Sequence, residues 1–138
     1  MNQPKIKSFN HIAIVVEDIS EALKFWRDTL GLELSHKEDV PAQDSRIAFL
    51  PLAKGAVELV EPTTEESGIA RFLKSSSTAM HHICLEVDDI EAMLAHLKSK
   101  DIRLIDETPQ TRDGRKIAFI HPESTYGVLV ELYQLQKD

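Results

Sequence analysis

The sequence predicts an α+β fold in which two tandem βαβββ modules form one shared curved sheet around a metal site. Three observations carry this expectation. Asn10-His11-Ile12-Ala13-Ile14-Val15-Val16-Glu17-Asp18-Ile19 returns 71 positions later as His81-His82-Ile83-Cys84-Leu85-Glu86-Val87-Asp88-Asp89-Ile90. Arg46-Ile47-Ala48-Phe49-Leu50 returns 70 positions later as Lys116-Ile117-Ala118-Phe119-Ile120. Glu58, inside the apolar run 56–60, is answered 73 positions on by Glu131, inside 128–132. Self-similarity at a near-constant spacing marks a duplicated structural unit, and the small changes of offset are loop insertions. A unit of roughly 50 residues buries little core alone, so the two copies are expected to share one. Residues 1–138 are therefore read as a single domain: module one about 8–62, a connector helix about 63–78, module two about 79–135.

Each element has a local reason. Residues 11–16 are β-branched and apolar, which favours a strand. Asp18 or Ser20 then caps a helix in which Ile19, Ala22, Leu23, Trp26 and Leu30 recur at helical spacing, with Glu21, Lys24, Arg27 and Asp28 opposite. Gly31 ends it. Leu32-Glu33-Leu34 reads as the second strand and residues 37–45 as a polar loop around Pro41. Residues 46–50 and 56–60 are two further strands, joined by a turn carrying Lys54-Gly55. Ile69, Phe72 and Leu73 give the connector one short amphipathic helix capped by Ser67 or Thr64, after which Ser75-Ser76-Ser77 loosens the chain. In the second copy, Ile90, Met93, Leu94 and Leu97 repeat the helix, and Arg103-Leu104-Ile105 answers Glu33-Leu34-Ser35.

Composition narrows the function classes. A formal charge of −7 opposes a nucleic-acid partner, which needs a basic stripe, but suits an anionic small molecule gripped by a local basic patch. No apolar run is long enough to span a bilayer, and the N-terminus lacks an apolar signal core. The single cysteine, Cys84, forms no internal disulfide and fits a reducing compartment, so a cytoplasmic location is expected.

The polar residues that begin and end the two copies are His11, Glu58, His82 and Glu131. A glutamate in an apolar strand is costly unless something neutralises it. Two imidazoles and two carboxylates together satisfy one divalent cation, and such a mixed N/O set suits Co, Zn, Ni, Mn or Fe. One histidine or one strand glutamate by itself means little. The duplication, found from the apolar pattern, independently pairs His with His and Glu with Glu. His81 rivals His82, but His82-Ile83 aligns with His11-Ile12. His36 and His96 read as surface or core residues, His121 before Pro122 stays open, and Cys84, opposite Ala13 in the repeat, reads as a small core residue, with thiolate ligation the chemical alternative.

With these residues in hand, the chain resembles the vicinal oxygen chelate (glyoxalase/bleomycin resistance/dioxygenase) superfamily, whose members pair two such modules around a divalent metal. Within it, the chain is most similar to methylmalonyl-CoA epimerases from about Asn10 to Tyr133. Gly68-Ile69-Ala70-Arg71-Phe72-Leu73, Phe119-Ile120-His121-Pro122 and Gly127-Val128-Leu129-Val130-Glu131-Leu132 carry the resemblance most specifically. It implies metal ligands at His11, position 58, His82 and Glu131, an acyl-CoA substrate whose R and S forms interconvert by α-proton transfer, and a homodimer. Two departures stand out. Glu58 occupies a ligand position that is glutamine in several bacterial epimerases, and Ile47 stands where those enzymes place a proposed catalytic glutamate. Glu131 and Glu58 are thus the expected proton carriers. Arg46, Arg112, Arg115 and Lys116 are candidates for the anionic end of the substrate. The alternatives are glyoxalase I (lactoylglutathione lyase) isomerisation of a glutathione hemithioacetal, favoured by the His, Glu, His, Glu set, and a metal-free small-molecule binding relative. A ring-cleaving dioxygenase fits less well, because those members use a single carboxylate in an iron triad.

Overall fold

The computed structural model describes residues 3–76 and 78–135. The expected loosening at Ser75-Ser76-Ser77 falls partly outside them, because Ser77 is not among the described residues. The elements run β1 (Ile6–Val15), α1 (Ile19–Leu23) continued by a π-helical stretch over Lys24–Thr29, β2 (His36–Val40), β3 (Ser45–Pro51) and β4 (Ala56–Pro62). After them come α2 (Gly68–Ser75), β5 (Met80–Val87), α3 (Ile90–Ser99), β6 (Gln110–Arg112), β7 (Arg115–Ile120) and β8 (Val130–Leu135). Both copies are thus βαβββ, and the class is α+β. Two compact units emerge, one made of residues 11–81 and the other of the chain up to Asn10 together with His82 onward. The division falls inside β1.

In the unit of residues 11–81 the strand order is β2-β3-β4-β1, with β4 parallel to β1 and the other pairs antiparallel. Side chains alternate across the sheet. One face carries Ala48, Leu50, Val57 and Leu59 against Ile19, Leu23 and Trp26 of the first helix. The opposite face carries Ala13, Val15, Val60 and Ile47 against Ile69, Phe72 and Leu73 of α2. Ser67 caps α2 by accepting from the Ala70 amide at 3.1 Å.

In the other unit the order is β1-β5-β8-β7-β6, with β5 parallel to β8. Here Lys5 and Asp88 exchange hydrogen bonds, and Lys7 pairs with Glu86 at 3.2 Å. Ile90, Met93 and Leu94 of α3 pack on Val87, Ala118, Ile120, Val130 and Leu132. The opposite face gathers Cys84, Ile117, Phe119 and Tyr133.

The helix starts repeat in detail. Asp18 accepts from the Ser20 amide at 2.8 Å and Asp89 from the Ala92 amide at 3.0 Å. The first helical amide is taken by a last-strand side chain in both copies: Ile19 N–H by Glu61 at 2.8 Å, Ile90 N–H by Gln134 at 2.7 Å. Each bond satisfies an amide that no intrahelical carbonyl reaches.

The second strand of each copy lies further along than expected. Leu32 and Leu34 pack against the α1 core, but the ladder begins at His36, opposite Phe49. Arg103-Leu104-Ile105 makes only the isolated bridge from Leu104 to Ile120, and the laddered strand is β6. The reason is physical. β2 is a sheet-edge strand with both faces largely exposed, so it carries Lys37, Glu38 and Asp39 and reads as a polar loop.

Candidate functional site

Backbone register positions the site residues identically in the two copies. Parallel pairing sets Ala13 opposite Glu58, and antiparallel pairing sets Phe49 on the other side of Glu58. In the second copy Cys84 stands opposite Glu131, with Phe119 on its far side. Each histidine is two residues before the position facing the glutamate, which places it on the same face as that glutamate.

The structure accordingly brings His11 together with Glu58, and His82 together with Glu131. His11 Nδ1 lies 3.1 Å from Glu58 Oε2, with side chains 11% and 14% exposed. His82 Nε2 lies 3.0 Å from Glu131 Oε1, with side chains 13% and 12% exposed. A carboxylate this enclosed needs a cationic or hydrogen-bonding partner, and each glutamate has an imidazole. The spacing also has a coordination reading. Two adjacent ligand atoms about 2.1 Å from one ion stand about 3 Å apart, so each N/O pair fits one edge of the shell of a divalent cation.

The neighbours separate the six histidines. His82 meets Phe119 edge to face at 5.7 Å between ring centroids. Adjacent His81 instead packs edge-on against Phe72 of α2 at 4.8 Å, so the rival position serves the connector. His36 is stacked on Phe49 at 4.5 Å, and His96 is a half-buried residue of α3. His121 is a turn residue whose Nδ1 accepts from the Glu123 amide at 3.0 Å. Phe49 and Phe119, flanking the two glutamates, are the feature that sequence reasoning passed over. In the sequence they are visible only as matching members of the repeated Ile-Ala-Phe strand.

The basic candidates are mostly engaged elsewhere. Arg46 is bonded to Asp39 at 2.7 Å and reaches Glu61 at 3.5 Å, and the Asp39 hydrogen bond raises the guanidinium pKa further. Lys116 pairs with Glu91 at 2.5 Å, and that hydrogen bond draws the Glu91 carboxyl below its usual range. Arg112 donates to Gln110 at 3.2 Å. Arg115 lies 6.0 Å over the Tyr133 ring. Burial, then the charge of Glu86, pushes the Tyr133 hydroxyl pKa up, so it stays protonated beyond the ordinary tyrosine range. Cys84 is only 1% exposed, beside Ile117 and Tyr133.

With this geometry in place, comparison with known proteins is decisive at the level of family. Residues 10–119 match the model of the Glyoxalase/Bleomycin resistance protein/Dioxygenase superfamily. The chain belongs to this superfamily. Among its relatives, the mitochondrial methylmalonyl-CoA epimerase of Mus musculus is 39% identical over 132 residues, covering 94% of this chain and 74% of that protein. The ethylmalonyl-CoA/methylmalonyl-CoA epimerase of Cereibacter sphaeroides is 38% identical over 133 residues, covering 94% of this chain and 99% of that protein. A solved methylmalonyl-CoA epimerase in complex with methylmalonyl-CoA and NH4+ superposes with a TM-score of 0.84 at 29% identity, covering 95% of this chain and 96% of the other.

Proposed function

We propose that this superfamily member is a methylmalonyl-CoA epimerase in which His11, Glu58, His82 and Glu131 are the ligands of one divalent metal ion. The observation that carries the reading is the duplicated pair: in each copy an enclosed imidazole and carboxylate stand about one coordination edge apart, in the same register, within a chain similar over nearly its whole length to epimerases. When bound, the metal supplies Lewis-acid stabilisation of the enolate oxygen formed on removing the α-proton of a thioester. The protein's own groups do the rest. Inversion at carbon requires one group to take a proton and a second to return one from the other side. Glu131 and Glu58, one from each copy, are assigned these roles. Ile47, packed against Ala13, Val15 and Val60, has no proton to give, so this position takes no part in the transfer. A positioned carboxylate contributes on the order of 10²–10⁴ in rate.

Deuterium exchange into the α-carbon of methylmalonyl-CoA, run beside metal analysis of the purified protein, tests the reading. Glu131→Gln is expected to lower exchange by about 10²–10⁴ with an unchanged circular dichroism spectrum. Full exchange in that variant removes Glu131 from the chemistry. Exchange retained by Glu58→Gln leaves Glu58 as a ligand only. His11→Ala and His82→Ala are expected to lose bound metal, and an active wild type without stoichiometric metal overturns the ligand set. Turnover of a glutathione hemithioacetal in place of methylmalonyl-CoA would instead assign the glyoxalase reaction, for which the two glutamates are equally suited. The working form proposed is a cytoplasmic homodimer, with sedimentation and cell fractionation as its checks. Its cytoplasmic part is supported by the lone, deeply buried cysteine. No helix is long and apolar enough to cross a membrane among the described residues.

A further inference from the structure

The hairpin between β6 and β7 sets two like charges against each other. β6 ends at Arg112, β7 begins at Arg115, and the ladder makes these two residues direct partners. Only Asp113 and Gly114 stand between them, with φ of 50° and 75°. Positive φ at both central residues is the mark of a tight type I′ turn, which fixes the register of the residues that flank it. Directly opposed residues share a face, with Cα atoms about 4.5–5.5 Å apart, and like charges placed so are destabilising.

Nothing among the described residues neutralises the pair. Arg27, Arg46 and Arg103 each bond a carboxylate, at 2.8, 2.7 and 2.6 Å. Arg112 instead donates to the neutral Gln110 side chain at 3.2 Å, and Arg115 lies 6.0 Å over the Tyr133 ring. Among the described residues neither arginine makes an ion pair, and nor does Asp113 in the turn between them. In a chain of charge −7, rich in carboxylates, two facing arginines without one are the exception.

The pair lies on the sheet face that carries His82 and Glu131. Arg115, Ile117 and Phe119 alternate onto one face of β7, and Phe119 is the ladder partner of Glu131. Tyr133, over whose ring the Arg115 guanidinium lies, occupies the row between Arg115 and Glu131. A hydrogen-bond chain joins the pair to the Glu131 row by a second route. Arg112 bonds Gln110, the Gln110 amide donates to Asp106 at 2.9 Å, and Asp106 accepts the Phe119 N–H at 2.8 Å. Through Gln110, the carboxylate that fixes the backbone beside Glu131 also steadies the Arg112 side chain.

Guanidinium groups held in place without a counter-ion suit an oxyanion, because their planar N–H forks match its oxygens two at a time. Charge decides which oxyanion. A carboxylate brings −1 and leaves one arginine uncompensated, whereas a phosphate group brings about −1.5 to −2 at pH 7. We propose that Arg112 and Arg115 form a binding subsite for a phosphate dianion, on the sheet face of the His82–Glu131 pair. The subsite depends on the hairpin and not on the epimerase reading, which bears only on whether the phosphate is free or part of an acyl-CoA.

Thermal melts of the full chain in chloride, acetate and phosphate at matched ionic strength test it. Phosphate also stabilises proteins by exclusion from their surface, so the deciding quantity is the difference between wild type and variant. Arg112→Gln and Arg115→Gln are each expected to melt above the wild type in chloride, where the opposed charges are relieved, and to lose the extra stabilisation that phosphate gives the wild type. In an NMR titration with inorganic phosphate, the Arg112 and Arg115 side-chain N–H signals are expected to shift together, with affinity about 10-fold or more weaker in either variant. Phosphate stabilisation kept in full by both variants overturns the proposal, as does an equal effect of acetate or no shift of the two arginine signals. Coenzyme A added to the phosphate-bound protein separates the sources. Displacement of phosphate retains the subsite and assigns it to the substrate, and undisturbed arginine signals retain it for the free ion. The exchange assay with methylmalonyl-CoA reports separately on the epimerase reading.

Discussion

At the scale of single residues, the duplication is most exact in its hydrogen bonds to helix starts. Glu61 and Gln134 occupy matching places in the last strand of each copy, and each holds the first amide of its own copy's helix. Removing either leaves a part-buried N–H without its acceptor, which costs about 1–3 kcal/mol. Glu61→Ala and Gln134→Ala are expected to lower stability by that amount in denaturant unfolding, whereas Glu61→Gln keeps most of it. Asp18 and Asp89 were legible as caps from sequence because capping is local. The Glu61 and Gln134 bonds span 42 and 44 residues, and no local pattern announces them. Tyr126 carries backbone strain instead, being 99% exposed with a φ of 61°. Tyr126→Gly removes the left-handed strain and is expected to raise stability by about 1 kcal/mol, read in a thermal melt.

At the scale of elements, the first helix shows how one copy absorbed an extra residue. Leu23 and Leu94 are 71 positions apart, but Leu32 and Ile102, which donate to the matched carbonyls of Trp26 and Leu97, are 70 apart. The surplus residue is accommodated over Lys24–Thr29, where the Leu30 amide reaches back five residues to Phe25 at 2.7 Å. π-turns of this kind arise as single-residue additions within α-helices. Deleting Asp28 is therefore expected to restore a regular helix and shift the melting temperature by only a few degrees. Deleting Lys98 from the regular α3 rotates Ile102 and Leu104 out of the core and lowers it by more than about 10 °C. From sequence the offset change was visible, but not where it was absorbed, because a π-turn keeps the apolar spacing of an α-helix almost intact. The edge strands were misplaced for a related reason. Leu32 and Leu34 carry the hydrophobic signal, while the ladder hydrogen bonds belong to the charged residues after them.

At the scale of the molecule, the βαβββ duplication was legible because apolar periodicity and identical residues repeat at nearly constant spacing, and the same repeat singled out His11, Glu58, His82 and Glu131. Which histidine stands beside which glutamate depends on strand register, which the repeat does not carry. What the repeat could not reveal is where the chain divides. Residues up to Asn10 belong with the second copy, through the Lys5–Asp88 bonds and the Lys7–Glu86 ion pair. Lys5, Lys7 and Ser8 precede the matched segment, so no internal alignment speaks for them. Removing residues 1–9 is expected to raise amide hydrogen exchange across β5 while leaving β4 protected. Since one unbroken strand crosses that division, the ancient tandem copies have ceased to be interchangeable bricks. A polypeptide severed in its connector would leave the leading fragment holding a piece of backbone that its partner fragment needs to become ordered. The two fragments should regain structure on mixing and fail to do so when kept in separate tubes.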